Sequence, residues 1–162
     1  MKLRKLELKD APLMLEWMHD ESVVAKLAAN FAAKTIDDCR NFIAASQNDG
    51  EDLHLAIVDE DDTYMGTVSL KHIDRTAGTA EFAITVRAAA MGKGFSHFGM
   101  DSILKMGIEE LGLSAIYWCV SPKNQRAVRF YDKHGYPRIT EVPAEILSAY
   151  PADMELIWYV YE

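Results

Sequence analysis

Apolar side chains recur along this chain with two different periods, and the changes of period mark its elements. Phe82-Ala83-Ile84-Thr85-Val86 alternates large with small residues, the two-residue period of a strand with one buried face. Behind it, Met100, Ile103, Leu104, Gly107 and Leu111 recur at helical spacing and predict a helix with one side buried. The run Ala115 to Val120 predicts a second core strand, and the stretch from Asn124 a second helix. Nearer the N-terminus, Leu3, Leu6 and Leu8 alternate with charged residues, as in a half-solvated first strand. Asp10 and Pro12 predict a helix start, with Leu13, Trp17 and Met18 on the buried side. Residues 20–34 are rich in alanine and interrupted by Asn30, so they fit a helical turn or a loop. Thr35-Ile36-Asp37-Asp38 has the form of a capping box with Asp in the third place. Ile36, Cys39 and Ile43 follow at helical spacing, beside Phe42.

Asn48 to Asp52 is a turn by composition. His54 to Val58 and Tyr64 to Leu70 predict a hairpin around the acidic tip Asp59 to Asp62. A turn at Thr76-Ala77-Gly78 returns the chain into a strand from Ala80 to Val86. Beyond Tyr136 come a short strand, a proline-bounded stretch from Pro143 to Pro151, and a last strand from Met154 to Tyr161. With no repeat and no linker, the reading is one domain over residues 1–162.

The turn between the 82–86 strand and its helix reads Met91-Gly92-Lys93-Gly94-Phe95-Ser96. A glycine turn opening a helix leaves backbone N–H groups unpaired, and the helix dipole favours negative charge there. Gly92 and Gly94 admit positive φ and close approach of backbone to a phosphate, and Lys93 adds a charge beside it. Alone, the loop fits an ordinary tight turn better. Its continuation is what adds meaning: after Ala115 to Val120 come Asn124, Ala127, Tyr131, Lys133, Gly135 and Tyr136.

Together these residues resemble the acyl-CoA-binding half, about residues 80–136, of the GCN5-related N-acetyltransferases (GNAT). That family's loop has the form Arg/Gln-x-x-Gly-x-Gly/Ala, and its later helix Asn-x-x-Ala-x-x-x-Tyr followed by Lys, Gly and an aromatic. This chain departs at Met91 and Ser96. A methionine donates no hydrogen bond, which leaves any lost contact to the backbone or to Lys93. The resemblance implies an α/β domain of the GNAT type, a mixed and mostly antiparallel sheet flanked by helices. It implies direct transfer of acetyl from acetyl-CoA to a primary amine of a small molecule or protein N-terminus, without a metal. The pattern of Leu6, Asp10, Leu15, Glu16 and Trp17 is similar to the ribosomal-protein N-acetyltransferase-like subgroup, and Trp17, Glu16 and Asp20 fall on its acceptor side.

The resemblance also assigns roles. Met91, Gly92, Lys93, Gly94, Phe95 and Ser96 would hold the pyrophosphate, and Ile84, Thr85, Val86 and Arg87 would pair with the pantetheine arm. Asn124 would cap its helix and touch the arm. Tyr131 would be the general acid, since a phenol of pKa about 10 is protonated at neutral pH; otherwise it is a packing aromatic beside Val128. Strand alternation sets Glu81, Ala83 and Thr85 opposite the buried face. Glu81 is therefore read either as the base or as a solvated or salt-bridged strand carboxylate, with His72 and His134 as weaker bases. His134 reads better as a C-terminal charge partner of its helix.

Charge and cysteine content remove other classes. The net charge of −8 argues against nucleic acid and anionic membranes as partners. Neither a spanning apolar segment nor a signal-peptide core is present, and Cys39 and Cys119 make no disulfide framework or metal cluster, so a cytoplasmic protein is expected. Cys119 lies inside a strand pattern without a base at useful spacing, which fits a core cysteine rather than an acyl carrier. The rival reading is a non-catalytic acyl-CoA-binding sensor or interaction module. A nucleotide binder is disfavoured because the loop lacks the Gly-x-x-x-x-Gly-Lys-Ser/Thr form. A homodimer is a possible assembly.

Overall fold

Seven strands build one sheet: β1 (Lys2–Lys5), β2 (Leu53–Val58), β3 (Tyr64–Asp74), β4 (Thr79–Val86), β5 (Ala115–Val120), β6 (Arg138–Ile139) and β7 (Ile157–Tyr161). In this computed structural model, which describes residues 1–25, 27, 30–48, 50 and 52–162, their order is β1-β2-β3-β4-β5-β7-β6. All neighbours run antiparallel except β4 and β5. Among the described residues, six helices flank the sheet: α1 (Ala11–Met18), α2 (Glu21–Val24), α3 (Ile36–Ala45), α4 (Phe95–Glu109), α5 (Gln125–Lys133) and α6 (Ala144–Leu147).

The two-residue period of the strands divides the core between two faces. Leu55 and Ile57 of β2 join Phe82, Val86, Met100, Ile103 and Leu104 in one cluster, the α4 side. Ala56 and Val58, the alternate residues, join Leu6, Met14, Trp17, Cys39 and Ile43 in the other, the α1/α3 side. Gly66 permits the close pairing of β3 with β4. A Cβ there would lie 2.6 Å from the Thr85 carbonyl oxygen and 2.9 Å from Val86 Cα, both backbone atoms that cannot swing aside. Gly66→Ala is expected to cost about 1–3 kcal/mol, a fall in Tm of roughly 3–10 °C. An unchanged melting curve would show that this pairing yields without cost.

Several boundaries differ from the sequence reading. The first strand ends at Lys5; residues 8–10 form a short 3-10 turn that leaves Leu8 at 61% exposure. The cause is Asp10, whose carboxylate is buried to accept two hydrogen bonds from Arg4, at 2.8 and 2.9 Å, and one from the Glu7 N–H at 2.8 Å. It therefore makes no side-chain cap on α1. The buried face of α1 is Ala11, Met14 and Trp17, with Leu13 and Met18 only partly covered. β3 extends four residues beyond Leu70, and the last strand begins at Ile157 rather than Met154. The expected capping box holds: Thr35 Oγ1 accepts from Asp38 N at 3.2 Å, and Asp38 Oδ2 accepts from Thr35 N at 2.8 Å. Residues 20–34 resolve into α2, capped by Asp20, within the described part of that stretch. Of the expected turn at 48–52, Asp49 and Glu51 lie outside the described residues. Among the described residues, no helix is long and apolar enough to cross a membrane, and no three His, Cys, Asp or Glu converge as metal ligands.

Candidate active site

The parallel strands β4 and β5 pair at only three positions, Thr79 with Ala115, Ala80 with Ile116 and Glu81 with Tyr117. Past Glu81 they separate. Trp118 follows directly on β5, its indole packed on the face of the sheet edge-on to Phe82 at 5.5 Å and stacked on Tyr159 at 5.7 Å. On the open edge β4 offers unpaired backbone groups. The Arg87 N–H donates to the Met65 carbonyl of β3, so by alternation Thr85 also turns to β3, while Phe82, Ile84 and Val86 face the opening. The expected four-residue pairing edge is thus reduced: Ile84 and Val86 can receive an added strand, but Thr85 and Arg87 cannot. Arg87 has a different task, a two-pronged ion pair to Glu16 at 2.8 and 3.1 Å that ties α1 to the end of β4.

The mouth of the opening is the 91–96 loop. Gly92 has φ 75° and Gly94 φ 88°, the left-handed region that L-residues avoid. A Cβ on Gly92 would meet nothing, so conformation rather than space demands glycine there. Gly94 is the N-cap of α4, and the first helical bond runs from Phe98 N to the Gly94 carbonyl at 3.0 Å. None of the N–H groups from Gly92 to His97 therefore has an acceptor among the described residues, which leaves a run of six donors at the positive end of a 15-residue helix. Phe95 contributes only its N–H, since its ring is buried and anchors the helix start. Lys93 is exposed beside the loop. The Arg126 guanidinium, on the first turn of α5, lies 2.9 Å from Met91 Sδ and brings a second cation to the loop edge. Sequence reasoning missed Arg126. Its position two residues after the capping Asn124 was the available signal. Asn124 does cap α5, accepting from Ala127 N at 3.3 Å.

Tyr131 projects from α5 into the aromatic group on the same side of the sheet, 5.6 Å from Trp118 and 5.1 Å from Tyr159 by ring centroid. Its hydroxyl makes no hydrogen bond to any described residue, yet it is not sealed from solvent. Burial raises the phenol above its ordinary value, so it is a protonated, unengaged donor. The buried Trp118 Nε1 also lacks a partner, which places a second free donor beside the opening. His134 does not act as the expected charge partner. Its ring stacks on His97 at 4.1 Å, and burial with that neighbouring ring holds it below its usual value, hence neutral at pH 7.

Glu81 occupies the vertex of the split, on the opposite face, with only 3% of its surface exposed. Tyr150 Oη donates to its Oε2 at 2.9 Å, and His72 Nδ1 stands 3.7 Å from its Oε1. Glu81 is thus not solvated, and its contact with His72 fits the salt-bridged form of the alternative reading when that ring is protonated. His72 is 61% exposed by side chain and has φ 52° where β3 bulges, held by its N–H to Asp52 at 2.9 Å, so it links the buried carboxylate to solvent. Tyr150 was not anticipated; the proline-bounded segment delivers it, its ring packed edge-on to Trp158 at 5.2 Å. Cys119 shares this face, and burial pushes its thiol up, away from the thiolate an acyl carrier needs.

A cleft of about 300 Å³ lies between Trp17, Phe31 and Phe42 of the helical layer and Thr67, Ser69 and Ala83 of the sheet, and Ala83 is two residues along β4 from Glu81. The arrangement is an anion cradle and a free phenol on one side of a split sheet, with a buried carboxylate and an apolar cleft on the other.

Comparison with known proteins bears on this geometry. The acetyltransferase (GNAT) domain profile matches residues 1–137. The N-acetyltransferase p20 of Bacillus licheniformis is 26% identical over 141 residues, 84% of this chain and 78% of that protein. A spermidine N-acetyltransferase from Vibrio cholerae, solved with CoA and spermine, superimposes with TM-score 0.80 at 19% identity over 99% of this chain and 94% of that one. The same enzyme in a dodecameric, intermediate state gives TM-score 0.74 at 20% identity, covering 99% and 92%.

Proposed function

The chain belongs to the acetyltransferase (GNAT) domain family, and from that premise we propose that it moves an acetyl group from acetyl-CoA directly to a primary amine. The observation that carries the reading is the split between β4 and β5, which opens onto six unpaired N–H donors at one end and a buried carboxylate at the other. The residues present suit acetyl-CoA. The donors of Gly92 to His97, with Lys93 and Arg126, match a pyrophosphate, and the open edge at Ile84 and Val86 matches the amides of a pantetheine arm. A thioester supplies an electrophilic carbonyl and a thiolate leaving group. Glu81 accepts the proton that the ammonium must lose, and His72 passes it to solvent. Tyr131 donates a proton on the opposite face, where the leaving sulfur would need one. The ammonium first gives one proton to Glu81; as the C–N bond forms and the C–S bond breaks, the nitrogen gives up a second, which makes good the proton that Tyr131 donates to the thiolate, so one proton in all is released to solvent. No covalent enzyme intermediate is needed.

The test separates binding from chemistry. Acetyl-CoA at about 100 times its Kd is expected to add ~2.7 kcal/mol and to raise Tm by roughly 5–10 °C. Gly94→Val should abolish that rise, because a β-branched residue at φ 88° costs about 1–3 kcal/mol and reorients the donors. Amine-dependent release of free CoA then tests transfer. A Tm rise with no amine accepted would leave a binding module, and no rise at all would end the acyl-CoA reading.

A further inference from the structure

Resting on that reading, we infer that the acceptor is a small primary amine on a flat apolar body, of the arylalkylamine class, and not a polyamine. A polyamine carries several positive charges, and each ammonium that leaves water needs a carboxylate or an oriented acceptor in exchange. Among the described residues the lining of the cleft holds one carboxylate, Asp38, and the cation of Lys34 stands beside it, so the walls carry no net negative charge. Glu16, expected from sequence on the acceptor side, is held by both prongs of Arg87. Asp20, expected there too, accepts from Ser22 N at 3.0 Å and Ser22 Oγ at 2.7 Å. Asp38 stands at the mouth, where it accepts from Thr35 and faces the charge of Lys34, which also lines the cleft.

The inner polar groups are equally engaged. Tyr64 Oη, which accepts from Trp17 Nε1 at 3.0 Å, is 2.6 Å from Thr67 Oγ1. Ser69 Oγ is 2.6 Å from His54 Nδ1, and burial keeps His54 below its usual value and therefore neutral at pH 7. What the walls present is hydrocarbon and ring: Met14, the Trp17–Phe31 edge-on pair at 5.1 Å, and Phe42 against His54 at 4.7 Å. At about 300 Å³ the space is at the small end of ligand clefts, enough for one ring and a short arm. Ala83 lines it and Glu81 lies two residues further along β4, roughly 7 Å on, so an amine on a two-carbon arm reaches the carboxylate while its ring stays among the aromatic walls. The similar fold of a spermidine acetyltransferase does not carry over this chemistry, because the acceptor is set by side chains and not by backbone.

The experiment compares 2-phenylethylamine, putrescine and spermidine with the full chain, both as acceptors by CoA release and as ligands of the CoA-bound protein by calorimetry. The expected result is a preference of at least ~tenfold for 2-phenylethylamine over either polyamine in Kd, and in kcat/KM where turnover occurs, the scale of an unpaired charge left in an apolar site. Lys34→Glu should raise the affinity of spermidine more than that of 2-phenylethylamine, and so narrow the preference ~threefold to tenfold, since it reverses one charge at the mouth and spermidine carries more positive charges. Spermidine binding as tightly as 2-phenylethylamine, or neither binding, overturns the inference. Phenylethylamine binding without CoA release upholds the cleft's selectivity and removes the transferase reading instead.

Discussion

Tyr131→Phe is expected to slow acetyl transfer by ~10²–10⁴-fold while leaving acetyl-CoA affinity within about threefold, because a positioned general acid contributes on that scale. The substitution is clean. The hydroxyl bonds to no described residue, so its removal leaves no orphaned partner, and the ring keeps its packing on Trp118 and Tyr159. Melting temperature should therefore hardly move. Since burial raises the phenol above its ordinary value, Tyr131 remains protonated at and above neutral pH and should impose no loss of rate up to about pH 9. Steady-state kinetics with a saturating amine decide the matter. An unchanged kcat would reduce Tyr131 to a packing residue.

Glu81→Gln is the second large effect, about 10²–10⁴-fold in kcat/KM near neutral pH. Its pH dependence is the sharper reading. An alkylamine with pKa near 10 is almost wholly protonated at pH 7, and the neutral fraction rises about tenfold for each pH unit below that value. An enzyme that has lost its base must wait for the neutral amine, so the deficit shrinks as pH rises, by up to ~100-fold between pH 7 and 9. Tyr150 can still donate to the amide oxygen of the Gln side chain, so the buried site stays satisfied. A wild-type to variant ratio that stays flat across this range would remove Glu81 as the base.

How far the chain could be read from its residues depended on how local each feature was. The β4 strand, the glycine loop and α4 were legible because their signals are contiguous: a two-residue period, two positive-φ glycines and a 3.6-residue period in succession. The capping of α5 by Asn124 was legible for the same reason. The N-terminus was misread where a distant partner intervened. Asp10 looked like a helix cap, but Arg4, itself held by Asp62 from the β2–β3 hairpin, claimed its carboxylate. His134 looked like a cation at a helix end, but burial, with the His97 ring stacked on it, holds it below its usual value and so neutral at pH 7.

The site divides along the same line. Glu81 and Tyr131 were visible as candidates, yet nothing in the order of residues could show what surrounds them. Tyr150 is 69 residues from Glu81 and meets it through the sheet order β4-β5-β7-β6, which brings the proline-bounded segment over the vertex. Arg126 reaches Met91 only because α5 packs beside the start of α4.

The amino-acid sequence alone determined the period of each central strand and helix, the glycines that turn six amides outward, and the presence of Glu81 and Tyr131 in the segments that border the split. Those features depend on neighbours within a few bonds. The tertiary structure alone decided that Glu81 is buried, that Glu16 is paired with Arg87, and that the cleft between the sheet and α1 is lined with rings. Burial and competition for partners are properties of packed surfaces, which only the folded chain brings together.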